Sequence, residues 1–289
     1  MPSKIEWTDR TWNPVRGCSR VSNGCSNCYA ERIAHRFQGQ WIKDGPGTKF
    51  VQIANGHPQW TGKVELIESK LQEPLHWRKP QRVFVNSMSD LLHEALPFTE
   101  IARVVRIMRE ANWHTYQILT KRAARLLQFW NWWNWQITDP PLPRNTWWGV
   151  SIENQATADE RIPLLRRTPA AVRFVSYEPA LGPVDFTELR GVDWLIVGGE
   201  SGPAARPAHP DWFRSARDQC QAARVPFFFK QWGEHVPITR TDGGPPGAQQ
   251  MIRVGKRAAG RMLDGREWSE FPKRGSRNQM AAGSSAERS

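Results

Sequence analysis

From Val83 to Gly233 the chain repeats one pattern. A short apolar run ends in polar residues, and a longer stretch follows whose apolar residues recur every three to four positions. The runs are V-F-V (83–85), Y-Q-I-L-T-K-R (116–122), W-W-G-V-S-I-E-N (147–154), R-F-V-S-Y-E-P (173–179), W-L-I-V-G-G-E-S-G-P (194–203) and P-F-F-F-K-Q-W-G (226–233). Such runs read as strands buried on both faces. The stretches between them read as helices: Phe98–Ala111, with Ile101, Val104, Val105 and Met108 on one side, then 123–136, 157–166 and 210–223, with a short helix or turn near 185–190. Upstream, a short strand ends near Asn13-Pro14. A helix is predicted over Tyr29–Phe37, with Ala30, Ile33, Ala34 and Phe37 forming its apolar stripe. Residues 38–80 form a polar connector with a short strand at 62–66 and a helix over Glu68–Trp77, stopped by Pro80.

Strands alternating with helices predict a parallel sheet in an α/β fold. About seven strands suffice for a partial or full (β/α) barrel, and a doubly wound open sheet is the competing topology. The pattern ends near residue 237, which sets one barrel-like domain over 1–237 and a basic C-terminal extension over 238–289. Within the extension, 241–249 (T-D-G-G-P-P-G-A-Q) reads as a flexible linker, 251–271 has enough apolar content to dock on the barrel, and 273–289 reads as disordered.

The polar ends of the strands favour the barrel. Asn86, Ser87, Ser89 and Asp90 follow the first of the six runs, and Lys121 and Arg122 close the second. Glu153 and Asn154, Tyr177 and Glu178, Glu200 and Ser201, and Lys230, Gln231 and Trp232 close the remaining four. Parallel strands bring all of these to one face, the face that carries chemistry in β/α barrels. Lys121, Glu153, Glu178, Glu200 and Lys230 are therefore candidates for proton and charge chemistry. Tyr29, Ser87, Ser89, Asn154, Gly198 and Gly199 are candidates for holding a cofactor.

Three of the four cysteines lie ahead of this repeat, in W-N-P-V-R-G-C-S-R-V-S-N-G-C-S-N-C-Y-A. Cys18, Cys25 and Cys28 are spaced C-x6-C-x2-C on a Gly/Asn-rich loop that leads into the helix at Tyr29, where a helix dipole favours thiolates. Three readings stay open: an iron–sulfur cluster with three protein ligands and one open iron, a zinc site completed by His35 or Cys220, and plain loop thiols. Cys220 sits in a predicted helix far along the chain, so a disulfide is not expected.

Charge adds a partner. Forty Lys and Arg against 28 Asp and Glu give +12, which favours a polyanion such as nucleic acid. Lys256, Arg257 and Arg261 are candidates for phosphate contact. Most of the 16 tryptophans are expected in the core, with some free to stack on bases or a cofactor. No segment has the length of a membrane span or the apolar core of a signal peptide, so the expected location is the cytoplasm.

The motifs W-N-P-V-R-G-C, C-S-N-C-Y-A, V-F-V-N-S-M-S-D-L, Q-I-L-T-K-R, W-G-V-S-I-E-N, R-F-V-S-Y-E-P-A-L-G-P, W-L-I-V-G-G-E-S-G-P, F-F-F-K-Q-W-G and K-R-A-A-G-R-M-L-D-G-R-E-W span nearly all of residues 5–272. With them the chain resembles the phage-associated three-Cys-motif family of unknown function, which is similar to radical S-adenosylmethionine (SAM) enzymes. That resemblance implies a partial barrel, a 4Fe–4S cluster on the three cysteines, SAM on the open iron, and a 5′-deoxyadenosyl radical that abstracts hydrogen from a substrate. It also implies a partner, the three-Cys-motif partner protein. The chain departs from the radical SAM pattern in its first cysteine spacing, in Asn27 where an aromatic residue precedes the last cysteine, and in the late position of Gly198-Gly199-Glu200. Tyr29 stands one place after Cys28, where it substitutes for the missing aromatic. The competing expectations are a zinc-stabilised nucleic-acid-binding module without catalysis, and a hydrolase or nuclease using Asp90, Glu153, Glu178 and Glu200.

Overall fold

The structure is a computed structural model that describes residues 5–43, 47–136, 143–186, 189–239 and 249–273. Seven strands form one parallel sheet: β1 (Arg10–Trp12), β2 (Arg82–Val85), β3 (Thr115–Thr120), β4 (Thr146–Ile152), β5 (Val172–Tyr177), β6 (Trp194–Gly198) and β7 (Phe227–Gln231). Their spatial order is their chain order. Every crossover therefore steps once in the same direction, and the sheet curls into a half-barrel. A doubly wound sheet needs a reversal of strand order, and there is none. The barrel is partial, because β1 pairs only with β2 and β7 only with β6 among the seven.

Helix α1 (Tyr29–Lys43) packs on the Val51–Trp60 hairpin, while four helices cover the convex side: α2 (Phe98–Glu110), α3 (Ala123–Gln136), α4 (Gln155–Arg167) and α5 (Pro210–Ala223). The larger core lies between them and the strand residues that point outward, such as Val85, Ile118, Val150, Val175, Val197 and Phe229. The inward residues alternate with these. Near the strand starts they are large: Phe84, Trp147, Phe174, Trp194, Ile196 and Phe228 form a second core with Trp7.

Two chain segments close this aromatic end. Trp7 packs on Phe84 from the N-terminal side, with ring centroids 4.7 Å apart. The C-terminal segment runs along the free edge of β7, where Phe229 N–H donates to Trp268 O at 3.0 Å and Glu270 N–H to Phe227 O at 3.2 Å. Phe271 then stacks against Trp194 and Phe228. Covering that edge satisfies groups that would otherwise recruit another strand. The boundary expected at 237/238 falls inside an antiparallel ribbon joining His235–Thr239 to Gln249–Arg253. The expected linker and the tail beyond 273 lie almost wholly outside the described residues.

Several expectations change. The helix expected over Glu68–Trp77 is split into Glu68–Leu71 and a 3-10 turn at Glu73–His76, because Pro74 has no N–H to continue the ladder. Near 185–190 the chain only turns, at 190–191, with 187–188 outside the described residues. Helix α1 continues to Lys43, and it buries Ala30 and Ala34 while leaving Ile33 and Phe37 exposed. Nine of the 16 tryptophans are buried (Trp7, Trp12, Trp130, Trp133, Trp147, Trp148, Trp194, Trp232 and Trp268), so packing accounts for most of them. No helix among the described residues is long and apolar enough to cross a membrane.

Candidate functional site

Following each strand past its aromatic start, the inward positions turn polar. On β4 they read Trp147, Gly149, Ser151, Glu153, and on β5 Val172, Phe174, Ser176, Glu178. On β6 they are Trp194, Ile196, Gly198, Glu200, and on β7 Phe228, Lys230. The charged end of the half-barrel is its C-terminal end, and there the cysteine loop lies across it.

The loop is held from below by two carboxylates. Glu153 is 1% exposed and accepts from Ser22 Oγ at 2.7 Å. Lys121 Nζ lies 2.5 Å from the same carboxylate oxygen, and Arg161 Nη1 is 3.4 Å from the carboxylate. Gly24 packs directly on Glu153, and a Cβ there would approach Oε1 to 2.5 Å, so only glycine fits. Glu200 accepts from Asn27 Nδ2 at 3.0 Å and pairs with Arg206 at 2.5 Å, and Arg206 also donates to Asn23 O at 3.0 Å. Burial pushes both carboxyls up, but Lys121, Arg161 and Ser22 around Glu153, and Arg206 and Asn27 around Glu200, outweigh it and hold both below the usual range.

Arg122 holds the start of the loop. Its side chain is 4% exposed, and it donates to Asp90 at 3.0 Å, Glu94 at 2.8 Å and Ser19 Oγ at 2.9 Å, with Nη1 4.0 Å from Cys18 Sγ. His93 bonds Ser19 Oγ at 2.8 Å, and burial with the Arg122 charge keeps its imidazole below its ordinary pKa.

Beneath the loop is a cavity of about 170 Å³. Cys18, Cys25 and Cys28 line it with Tyr29, Ser87, Ser89 and Lys121, so it unites seven of the residues expected from sequence. Asn86, Asp90, Thr120, Arg122 and Ser151 complete its polar wall. Tyr29 Oη donates to Ser87 O at 2.6 Å, Ser87 Oγ to Asn13 Oδ1 at 3.1 Å and Ser89 Oγ to Val15 O at 2.9 Å. These hydroxyls fix the loop that follows β2.

The other expected residues lie elsewhere or have other bonds. Glu178, just after β5, and Lys230 on β7 pair with each other at 2.7 Å across β6. Asn154 caps α4, its side chain accepting from Thr157 N–H at 3.1 Å. Gly198 lies against the Glu178 carboxylate, and Gly199 lets the backbone meet the Trp232 carbonyl, which any side chain would block. Sequence reasoning missed Arg161 and Arg206. Arg161 stands among Ala158, Ile162 and Leu165 on the buried side of α4; a cation in an apolar stripe marks a buried partner. Arg206, in an irregular loop, gives no such signal.

The thiols differ from expectation in one respect. Burial pushes the Cys18 thiol up to about 12 and raises Cys28. The helix terminus works against this at Cys28, where the Ala30 and Glu31 N–H groups favour the thiolate, but desolvation is larger. Among the described residues no three Cys, His, Asp or Glu side chains converge tightly enough to hold a single metal ion. The three thiols border a cavity instead. His35 is exposed on α1 and does not line it, and Cys220 is fully buried beneath α5. The donor set facing the cavity is therefore three thiols, together with one amide that lacks partners: both Asn86 side-chain atoms are buried and unbonded, on a residue with φ +59°.

No curated protein and no solved structure matches this chain. The family model described as "Protein of unknown function (DUF5131)" matches residues 2–272, which include every residue of the site above, and the chain belongs to that family.

Proposed function

We propose that Cys18, Cys25 and Cys28 hold a 4Fe–4S cluster and that the protein is a radical-SAM-like enzyme acting on nucleic acid. The observation that carries this reading is the common cavity: three thiols, and no fourth thiol or imidazole, face one pocket of mixed apolar and polar lining at the C-terminal end of a half-barrel. Soft thiolates suit an iron–sulfur cluster, and a three-thiol set leaves one iron open. The two residues that would complete a zinc site point elsewhere. When bound, such a cluster supplies the single electron for reductive cleavage of SAM.

The chain's own residues have separate tasks. The Arg122 guanidinium beside Cys18 offsets the negative charge of ligating thiolates, and the Ala30 and Glu31 N–H groups do the same at Cys28. Asn86 presents a free donor and a free acceptor to whatever polar group enters the cavity. Lys121 in the cavity wall is held by Glu153, which also pairs with Arg161, so the cluster keeps one positive charge. Glu178 and Lys230, paired with each other outside the cavity lining, would be the groups left to meet substrate. The resemblance to the phage-associated three-Cys-motif family belongs to the same proposal, as does a partner protein supplied with it.

The test is anaerobic purification with iron, sulfide and zinc analysis on the parent chain and on Cys25→Ala. About four irons per chain with broad absorption near 400 nm, lost in the variant, is the expected result, followed by SAM-dependent 5′-deoxyadenosine formation in the reduced sample. One zinc and no iron overturns the reading and selects a zinc-stabilised nucleic-acid-binding module.

A further inference from the structure

The outer face of α1 carries Tyr29, Ile33 and Phe37 at successive i, i+4 positions. All three stand in solvent, at 45%, 39% and 42% exposure. From Tyr29 to Phe37 this stripe is about 12 Å long. Arg32 and Arg36 lie beside it, both exposed, and neither has a carboxylate partner among the described residues; Arg32 packs against Gly202, and the Arg36 guanidinium lies 5.8 Å from the centre of the Phe37 ring. The basic residues of the C-terminal segment differ, since Lys256 pairs with Glu6 at 3.4 Å and Arg261 with Glu267 at 3.8 Å. Tyr29 belongs both to this stripe and to the wall of the cysteine cavity, so the face runs without interruption into the cavity mouth.

We propose that a single-stranded nucleic acid lies along α1, its bases on Tyr29 and Phe37 and its phosphates on Arg32 and Arg36, with the strand leading one nucleotide to the cavity. Aromatic rings interleaved with exposed cations that lack carboxylate partners are the chemistry that binds single strands with little sequence preference. A duplex keeps its base faces stacked and offers this stripe nothing to cover it. The net charge of +12 draws a polyanion toward the molecule. A protein partner would fit the apolar stripe but leaves two arginines unanswered. The destination of the strand rests on the reading of the cavity as the reaction site; binding along α1 does not.

The experiment is fluorescence anisotropy with a labelled 20-nucleotide single strand of mixed sequence, as DNA and as RNA, against the same sequence as duplex. The full chain is compared with Phe37→Ala, Arg32→Ala/Arg36→Ala and, on the C-terminal segment, Lys256→Ala/Arg261→Ala, each checked for folding by circular dichroism. The single strand is expected to bind at least tenfold tighter than the duplex. Phe37→Ala is expected to weaken it about 5- to 100-fold, the loss of one stacked base. The double arginine variant is expected to flatten the slope of log affinity against log salt by about 1.4, two phosphate contacts, and the C-terminal variant to match the parent. No binding at low salt, equal binding of duplex, or equal binding by the α1 variants overturns the proposal; in the first case the face is left to a protein partner. Iron is measured on the same samples. Binding without iron defeats the cavity reading alone, and iron without binding defeats the α1 proposal alone.

Discussion

The concave side of the half-barrel has two ends built on the same strands. At the start of β4 to β7 the inward positions are Trp147, Phe174, Trp194 and Phe228, sealed by Trp7 and Phe271. At the other end the same alternation delivers Ser151, Glu153, Glu178, Glu200 and Lys230. The first end is held by dispersion and apolar burial. The second is held by charges that satisfy one another while keeping a loop of thiols above a cavity of mixed lining. A residue's distance along its strand therefore separates apolar packing from paired charge. The test of that division is whether changes at one end leave the other intact.

The largest expected effect is at the aromatic end. Trp194→Ala removes a fully buried ring touched by Trp7, Trp147, Phe174 and Phe271 and should cost about 3–5 kcal/mol in denaturant unfolding. Iron bound per folded chain should stay at the parent value, and a loss would join the two ends. Glu153→Gln leaves Lys121 and Arg161 facing a neutral group. A cost of about 3 kcal/mol is expected, with iron lost as well, because Ser22 and Gly24 lose their anchor. Arg206 is about one-third exposed, so solvent screens its pair with Glu200. Arg206→Ala should cost only about 1 kcal/mol, yet thiol labelling of Cys25 should quicken. Asn86→Gly is expected to stay within about 1 kcal/mol, since it removes an unbonded amide from a left-handed position, while SAM cleavage falls. Normal cleavage in that variant would leave Asn86 without a ligand role.

Acid sharpens the same contrast. Glu153 and Glu200 are held below the ordinary carboxylate range, so the stability they confer is complete above the unfolded pKa, about 4.3, and disappears as pH falls through their lower folded values. Thermal stability should drop below about pH 4, less steeply in Glu153→Gln. An unchanged acid limb in that variant would remove Glu153 from the account.

The strands and helices were largely legible, because each strand is apolar on both sides and each helix carries its own period. Helices 123–136 and 210–223 match the observed α3 and α5 end for end. The cysteine cavity was legible as a convergence of strand ends. The helix α1 stripe was not. Periodicity groups Ile33 and Phe37 with Ala30 and Ala34, and only packing against the Val51–Trp60 hairpin decides which side turns inward. The division of labour among the carboxylates was equally hidden. Glu153 and Glu200 look like reactive groups in sequence. Their loop partners Ser22 and Asn27 lie more than a hundred residues away, and their nearer partners Arg161 and Arg206 carry no local spacing that marks a pair.

The clamp on the cysteine loop has a consequence for biosynthesis. The sheet can grow on the ribosome strand by strand, since each strand pairs with the one made just before it. The thiols emerge among the first thirty residues, yet the groups that fasten them emerge with Lys121, Glu153 and finally Arg206. What is translated early is completed late. A nascent chain therefore carries three loosely held cysteines for most of its synthesis, and the loop takes its fastened form only in the finished protein.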